Sequence, residues 1–100
     1  MKILKSAVAG TMESSDIMIT IEPAVSGISI DLTSTVEQQF GRKIREVIRQ
    51  TLKTLQVENA SVTAVDKGAL DCTVRARTEA AVFRASDEEK TDWRLLYEQY

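Results

Sequence analysis

The hydrophobic residues of this chain change period after Thr33, and the alternation before that switch excludes an all-helical fold. Up to Thr33 they alternate. In Ile17-Met18-Ile19-Thr20-Ile21-Glu22 the isoleucines recur at every second residue, which places Ile17, Ile19 and Ile21 on one face of a strand. Ile28-Ser29-Ile30-Asp31-Leu32-Thr33 repeats the pattern, with Ile28, Ile30 and Leu32 inward. From Val36 the steps lengthen to three and four. Val36, Phe40, Ile44, Val47, Ile48, Thr51, Leu52 and Leu55 fall on one stripe of an amphipathic helix.

Punctuation residues set the expected connections. Pro23 and Gly27 mark a turn between the two alternating runs, which predicts a hairpin. Ala7-Val8-Ala9-Gly10-Thr11-Met12 is a weaker strand, expected at an edge. Ser34 stands three residues before Glu37, the spacing of a capping box, and Arg42, Lys43, Arg45 and Arg49 line the polar side of the helix. Ala60 to Val65 is short and β-branched, hence a strand, and Asp66-Lys67-Gly68 breaks it. A second helix is expected from about Ala69 to Ala85, with Asp66 as cap and Cys72, Ala76, Ala80 and Phe83 on its apolar stripe. The competing reading makes Ala69 to Val74 a hairpin strand. Strands followed by helix, strand and helix predict an α+β fold: a small, mostly antiparallel sheet with two helices packed on one face. Residues 1–85 form the expected domain. Residues 86–100 form a tail, acidic up to Asp92 and then carrying Trp93, Leu95, Leu96, Tyr97 and Tyr100.

Composition narrows the chemistry. The chain has no histidine and one cysteine. This removes Ser-His and Cys-His nucleophiles, the usual base near neutral pH, and the usual zinc sites. It also excludes an internal disulfide. With 100 residues, 43% apolar and 28% charged, the chain has the balance of one soluble domain. No apolar run approaches the roughly 20 residues of a membrane span, and the apolar part of Met1 to Ser6 is too short for a secretory signal, so the expected compartment is the cytoplasm. A net charge of −2 argues against a dedicated nucleic-acid binder. Gly10, Gly27, Gly41 and Gly68 are too scattered for a phosphate-binding loop. The balance points to a small module without chemistry of its own.

Few residues remain as functional candidates. Asp66 and Asp71 flank Gly68 and are explained by a helix start. Arg42, Lys43, Arg45 and Arg49 have no interleaved aromatics for base stacking, and Cys72 is expected as a small core residue. Glu13-Ser14-Ser15-Asp16 falls where a loop belongs, exposing two hydroxyls between two carboxylates. Local physics does not rank Ser14 against Ser15.

Ala7-Val8-Ala9-Gly10-Thr11-Met12-Glu13-Ser14-Ser15-Asp16 resembles the N-terminal signature of the citrate lyase acyl carrier (gamma subunit) family. Glu37-Gln38-Gln39-Phe40-Gly41 with Ile44-Arg45, Asp66-Lys67-Gly68-Ala69-Leu70-Asp71-Cys72, and Arg75-Ala76-Arg77 with Glu79-Ala80-Ala81 extend the resemblance from about Lys2 to Ala85. The resemblance implies that Ser14 is covalently loaded with a phosphoribosyl dephospho-coenzyme A group, while the place of Ser15 tolerates glycine. The group's terminal thiol would carry acetyl and citryl as thioesters between a transferase (alpha) and a lyase (beta) subunit, after loading by a prosthetic-group transferase. The chain itself would catalyse neither step, and neither membrane nor nucleic acid is implied. Glu13 and Asp16 would mark the turn for a basic surface on the loading enzyme. Two alternatives stay open: the carrier subunit of malonate decarboxylase, and a small nucleic-acid-binding module using Arg42, Arg45 and Arg49.

Overall fold

The elements follow the two periods in chain order: β1 (Ala7–Gly10), β2 (Ile17–Glu22), β3 (Ile28–Ser34), α1 (Glu37–Thr54), β4 (Ala60–Asp66) and α2 (Asp71–Ser86). They are taken from a computed structural model, in which residues 1–86 are described. The four strands form one sheet in the order β1-β2-β4-β3. β1 pairs with β2, and β2 with β4, antiparallel; β3 runs parallel to β4. The expected α+β class with a mostly antiparallel sheet is what forms, with one parallel pair.

That parallel pair replaces the expected hairpin. β2 and β3 do not pair, because β4 lies between them. Alternation fixes which face a side chain occupies but not which strand lies alongside. β4 meets the requirements of a central strand. Its inward residues Ala60, Val62 and Ala64 are buried, and their small size lets helices approach closely. β3 and β4 are joined through α1, the kind of crossover a parallel pair requires.

Both helices cover the same sheet face. Register aligns Ile17, Ile19 and Ile21 of β2 with Asp66, Ala64 and Val62 of β4, and all six are buried. α1 adds Ile44, Ile48 and Leu52; α2 adds Val74, Val82 and Ala85. The opposite face carries Ser29, Asp31, Thr33 and Thr63, all exposed. β1 lies at the sheet edge, as its weaker pattern implies.

Local details depart from the sequence reading where strand and helix meet. No capping box forms at Ser34. β3 continues through Ser34, so the helix starts too late for it, with Val36 at the N-cap and no side-chain cap. The Ser34 hydroxyl instead accepts from the Val36 amide and donates to Asp66, while Glu37 pairs with Arg45. Asp66 does not cap α2 either; it organises the turn before it. Thr73 and Val74 both donate to the Leu70 carbonyl, which begins a helix and excludes the strand reading for this segment.

The apolar face of α2 is also rotated from the expected one. Val74, Thr78, Ala81, Val82 and Ala85 are buried, whereas Cys72 and Ala76 are exposed. Alanine falls on several sides of this helix, so its spacing carries little directional signal. Phe40 departs likewise: it lies in the first turn of α1 and is 52% exposed. Ser86, expected to open the tail, is the buried last residue of α2. The expected acidic and aromatic tail beyond it lies outside the described residues. Ile48→Ala should lose about 2–5 kcal/mol of stability as a core truncation, and Phe40→Ala under about 1 kcal/mol as a surface one. Urea unfolding of the two variants measures the contrast.

Candidate functional site

Register brings three loops to one end of the sheet. Ile17 opposes Asp66 on one side of β4, and Ser34 opposes Asp66 on the other. The β1–β2 loop, the β3–α1 junction and the β4–α2 turn therefore meet there. Asp66, 1% exposed, joins two of them. Its Oδ2 accepts from the Ser34 hydroxyl at 2.8 Å and the Gly68 amide at 3.1 Å, and Oδ1 from the Ala69 amide at 3.0 Å.

The third loop, Thr11 to Asp16, is fastened on two sides. Towards β4, the Ser15 amide donates to the Lys67 carbonyl at 2.8 Å and the Lys67 amide to the Asp16 carbonyl at 2.9 Å. These bonds continue the β2–β4 ladder past its last strand pair. On the other side the Asp16 carboxylate gathers donors. Oδ2 accepts from the Thr11 amide and hydroxyl, and Oδ1 from the Ile17 amide at 2.7 Å. Arg77 of α2 then closes over both oxygens, Nε to Oδ1 at 3.1 Å and Nη2 to Oδ2 at 3.0 Å. Arg77 foremost, then Thr11 and the Ile17 amide, hold the Asp16 carboxyl down from its usual 3.8 to about 2.

Two backbone positions make this shape possible. Gly10 has φ +91°, and a Cβ there would collide with the Ile17 carbonyl and press on the Arg77 side chain. Only glycine fits. Ser15 has φ +64°, the left-handed region that most side chains avoid. Ser14, between Glu13 and Ser15, is exposed. Among the described residues its hydroxyl takes part in no hydrogen bond. The Ser15 hydroxyl is likewise exposed and without a hydrogen bond among the described residues, but the Ser15 amide is tied to Lys67.

An acyl carrier family described as malonate decarboxylase delta subunit (MdcD) matches residues 4–85. A citrate lyase acyl carrier protein of Streptococcus uberis is 61% identical over 96 residues, covering 96% of this chain and 95% of the relative. One from Lacticaseibacillus casei is 60% identical, covering 93% and 92%, and one from Vibrio cholerae 55%, covering 96% and 99%. This chain belongs to the citrate lyase acyl carrier protein family. Its fold is also that of a chain in the crystal structure of a Pseudomonas malonate decarboxylase hetero-tetramer, with a TM-score of 0.73 at 20% identity, covering 83% of this chain and 86% of that one.

The remaining sequence candidates of this acyl carrier are placed as follows. Asp16 is not an exposed mark for a basic partner, because Arg77 neutralises it and its side chain is only 13% exposed. Glu13 keeps its exposed position. Arg45 is engaged by Glu37, whereas Arg42 and Arg49 are exposed. Cys72 is not a core residue. It is exposed on the wall of an apolar groove of about 580 Å³ shared with Phe40, Ile44 and Leu70. Among the described residues no cluster of His, Cys, Asp and Glu could hold a metal ion, and no helix is long and apolar enough to cross a membrane.

Sequence reasoning missed Arg77 and Lys67. Arg77 lies 61 residues from Asp16, and no local spacing couples them. The pair gives the site a pH signature. Asp16 has a lower pKa folded than unfolded, so its contribution is fully present above about pH 4 and is lost as pH falls through about 2. The Thr11 and Ile17 amide resonances should titrate with a midpoint near pH 2. In Arg77→Gln that midpoint should rise towards 3.8.

Proposed function

We propose that this acyl carrier serves citrate lyase with Ser14 as the point of attachment for a phosphoribosyl dephospho-coenzyme A group. When attached, that group would supply the thiol on which acetyl and citryl travel between the alpha and beta subunits. The observation that carries this reading is the exposed Ser14 hydroxyl, without a hydrogen bond among the described residues, on a loop that Ser15 and Asp16 tie to Lys67 and Arg77.

Of the two carboxylates that flank the serines, Glu13 stays exposed and Asp16 is compensated. Asp16, the nearest carboxylate on the C-terminal side, is neutralised by Arg77, so its charge does not oppose an incoming phosphate. The same bonds remove Asp16 as a base, since both its oxygens are already acceptors. Attachment then needs an external base: the Ser14 Oγ–H bond breaks, Oγ bonds to the donor's activated phosphorus, and the anhydride P–O bond on the far side breaks, its electron pair leaving on the oxygen of the released distal phosphate portion of the donor. The proton passes to the loading transferase. Holding Oγ in line is the carrier's share of the work.

Ser15 offers an exposed hydroxyl too, and its backbone makes it the weaker acceptor. Its amide is tied to Lys67 and its backbone is left-handed, a conformation glycine adopts without strain. This gives a physical reason for glycine to replace it. Ser14→Ala should abolish the mass gain on loading and all reconstituted turnover, while Ser15→Gly should load nearly normally. Peptide mapping by mass spectrometry reads the position, and a group found on Ser15 refutes it. Cys72→Ala should load, accept an acyl group and keep its stability within about 0.5 kcal/mol, because the working thiol is the group's own. A loaded Cys72→Ala protein that cannot be acylated would reassign that thiol.

Malonate decarboxylase is the second reading, favoured by the family description and the shared fold. The near-full-length identity to citrate lyase carriers favours the first. Copurification from the native host decides between them through the subunits recovered.

A further inference from the structure

Among the described residues, Arg77 is the side chain of the helix layer that hydrogen-bonds to the Thr11–Asp16 loop. The loop's other ties are local or run to Lys67, just past the end of β4. Among the described residues every hydrogen bond of the Arg77 guanidinium goes to Asp16. Its stem passes beside Gly10, where even a Cβ would come within 3.2 Å of it. Residues of β1, the loop and α2 are thus fitted around one side chain, and none of this is needed to fill the hydrophobic core. Arg77 is 41% exposed.

We propose that Arg77 is a positioning residue for covalent attachment at Ser14, selecting the one loop shape in which Oγ can be brought in line with the donor. The proposal rests on the reading of Ser14 given above. Without Arg77, Asp16 keeps the Thr11 and Ile17 donors, so the turn survives as a local unit. What it loses is its fixed orientation against α2. The loop then divides its time between shapes, and the apparent affinity of the transferase falls in proportion to the competent fraction. The reacting atoms are unchanged, so the rate at saturation is kept.

Two physical effects could link Arg77 to loading, and they separate cleanly. One is the fork, two parallel bonds that fix the angle between helix and loop, which only arginine provides. The other is bare charge, since an unneutralised Asp16 would repel a phosphate-bearing donor. Lysine keeps the charge and loses the fork. The structure favours the fork, because two different guanidinium nitrogens, at 3.1 and 3.0 Å, each meet a different carboxylate oxygen.

The test uses the full-length apo-carrier, the purified loading transferase and its activated phosphoribosyl dephospho-coenzyme A donor. Initial rates of mass gain are measured against carrier concentration for wild type, Arg77→Gln, Arg77→Lys and Arg84→Gln. Arg84 lies on the same helix and donates to the Val8 carbonyl of β1, away from the loop. Amide exchange at Thr11, Ser15 and Ile17 is followed by NMR, and circular dichroism reports the fold. Both Arg77 variants should raise KM for the carrier about tenfold, corresponding to a competent fraction near one tenth, with kcat within about twofold. Exchange at Thr11 and Ile17 should quicken in both, and Arg84→Gln should match wild type. The positioning role is overturned if Arg77→Lys restores wild-type KM, if KM stays unchanged while loop exchange quickens, or if Arg84→Gln raises KM equally. Should Arg77→Gln not fold, Arg77→Lys carries the same comparison. A wild-type protein that gains no mass at Ser14 overturns the attachment reading itself, and needs no variant to reveal it.

Discussion

A carboxylate removed from solvent must be surrounded by donors, and at Asp66 that requirement organises one whole end of the molecule. Asp66 closes the central strand β4, so the strands on both sides of it end at the same level. Among the described residues no cation pairs with it. Its donors are a hydroxyl from the end of β3 and two amides from the turn into α2. Each of those groups belongs to a chain segment that would otherwise be free to choose its path. Fixing them fixes where α1 and α2 begin, and with them the Lys67 backbone that the Thr11–Asp16 loop uses as its anchor.

A second carboxylate repeats the device at the surface. Asp16 stands to the β1–β2 loop as Asp66 stands to the β4–α2 turn, each gathering amides and a hydroxyl. The difference is Arg77, which gives Asp16 a full countercharge and suits a less buried position, where water would otherwise compete for the bonds. Between them the two acids bind four backbone amides, two hydroxyls and the Arg77 guanidinium. Ser14 is left out of both networks. An exposed hydroxyl on fixed flanks can be offered to another protein's active site without first breaking internal bonds, which is the property a site of modification needs.

The period switch made the architecture legible because burial, and little else, decides it. The Ile17/Ile19/Ile21 alternation and the Ile44–Ile48–Leu52 stripe are faces that must be covered, and they are. Strand order was illegible for the same reason. Two alternating runs separated by Pro23 and Gly27 look alike whether they pair with each other or receive a third strand between them. The face of α2 was lost because alanine, small enough for either side, supplies little contrast, whereas Val74 and Val82 alone mark the buried side. At the site, an exposed loop with Ser14 was readable from polarity and position. The Asp16–Arg77 pair was not, since it joins a loop near the start of the chain to a helix near the end of the described residues.

Topology and site also constrain each other. On the proposed attachment at Ser14, a tethered group would work through effective concentration, which falls roughly as the −3/2 power of tether length once the span is met. Any wandering of the mount acts like added tether. A helix start is one stiff mount; a short loop between antiparallel strands is another only when both flanks are held, because a hairpin alone is marginal in water. Here β1 is the edge strand, four residues long, and could not stiffen the loop by itself. The stiffness comes from the far side, through the extended β2–β4 ladder to Lys67, and from above, through α2 and Arg77. The placement of β4 between β2 and β3 is therefore more than a variation in strand order. Had β2 and β3 formed the expected hairpin, Lys67 would no longer lie beside Ser15, and the loop would lose the anchor on which its shape depends.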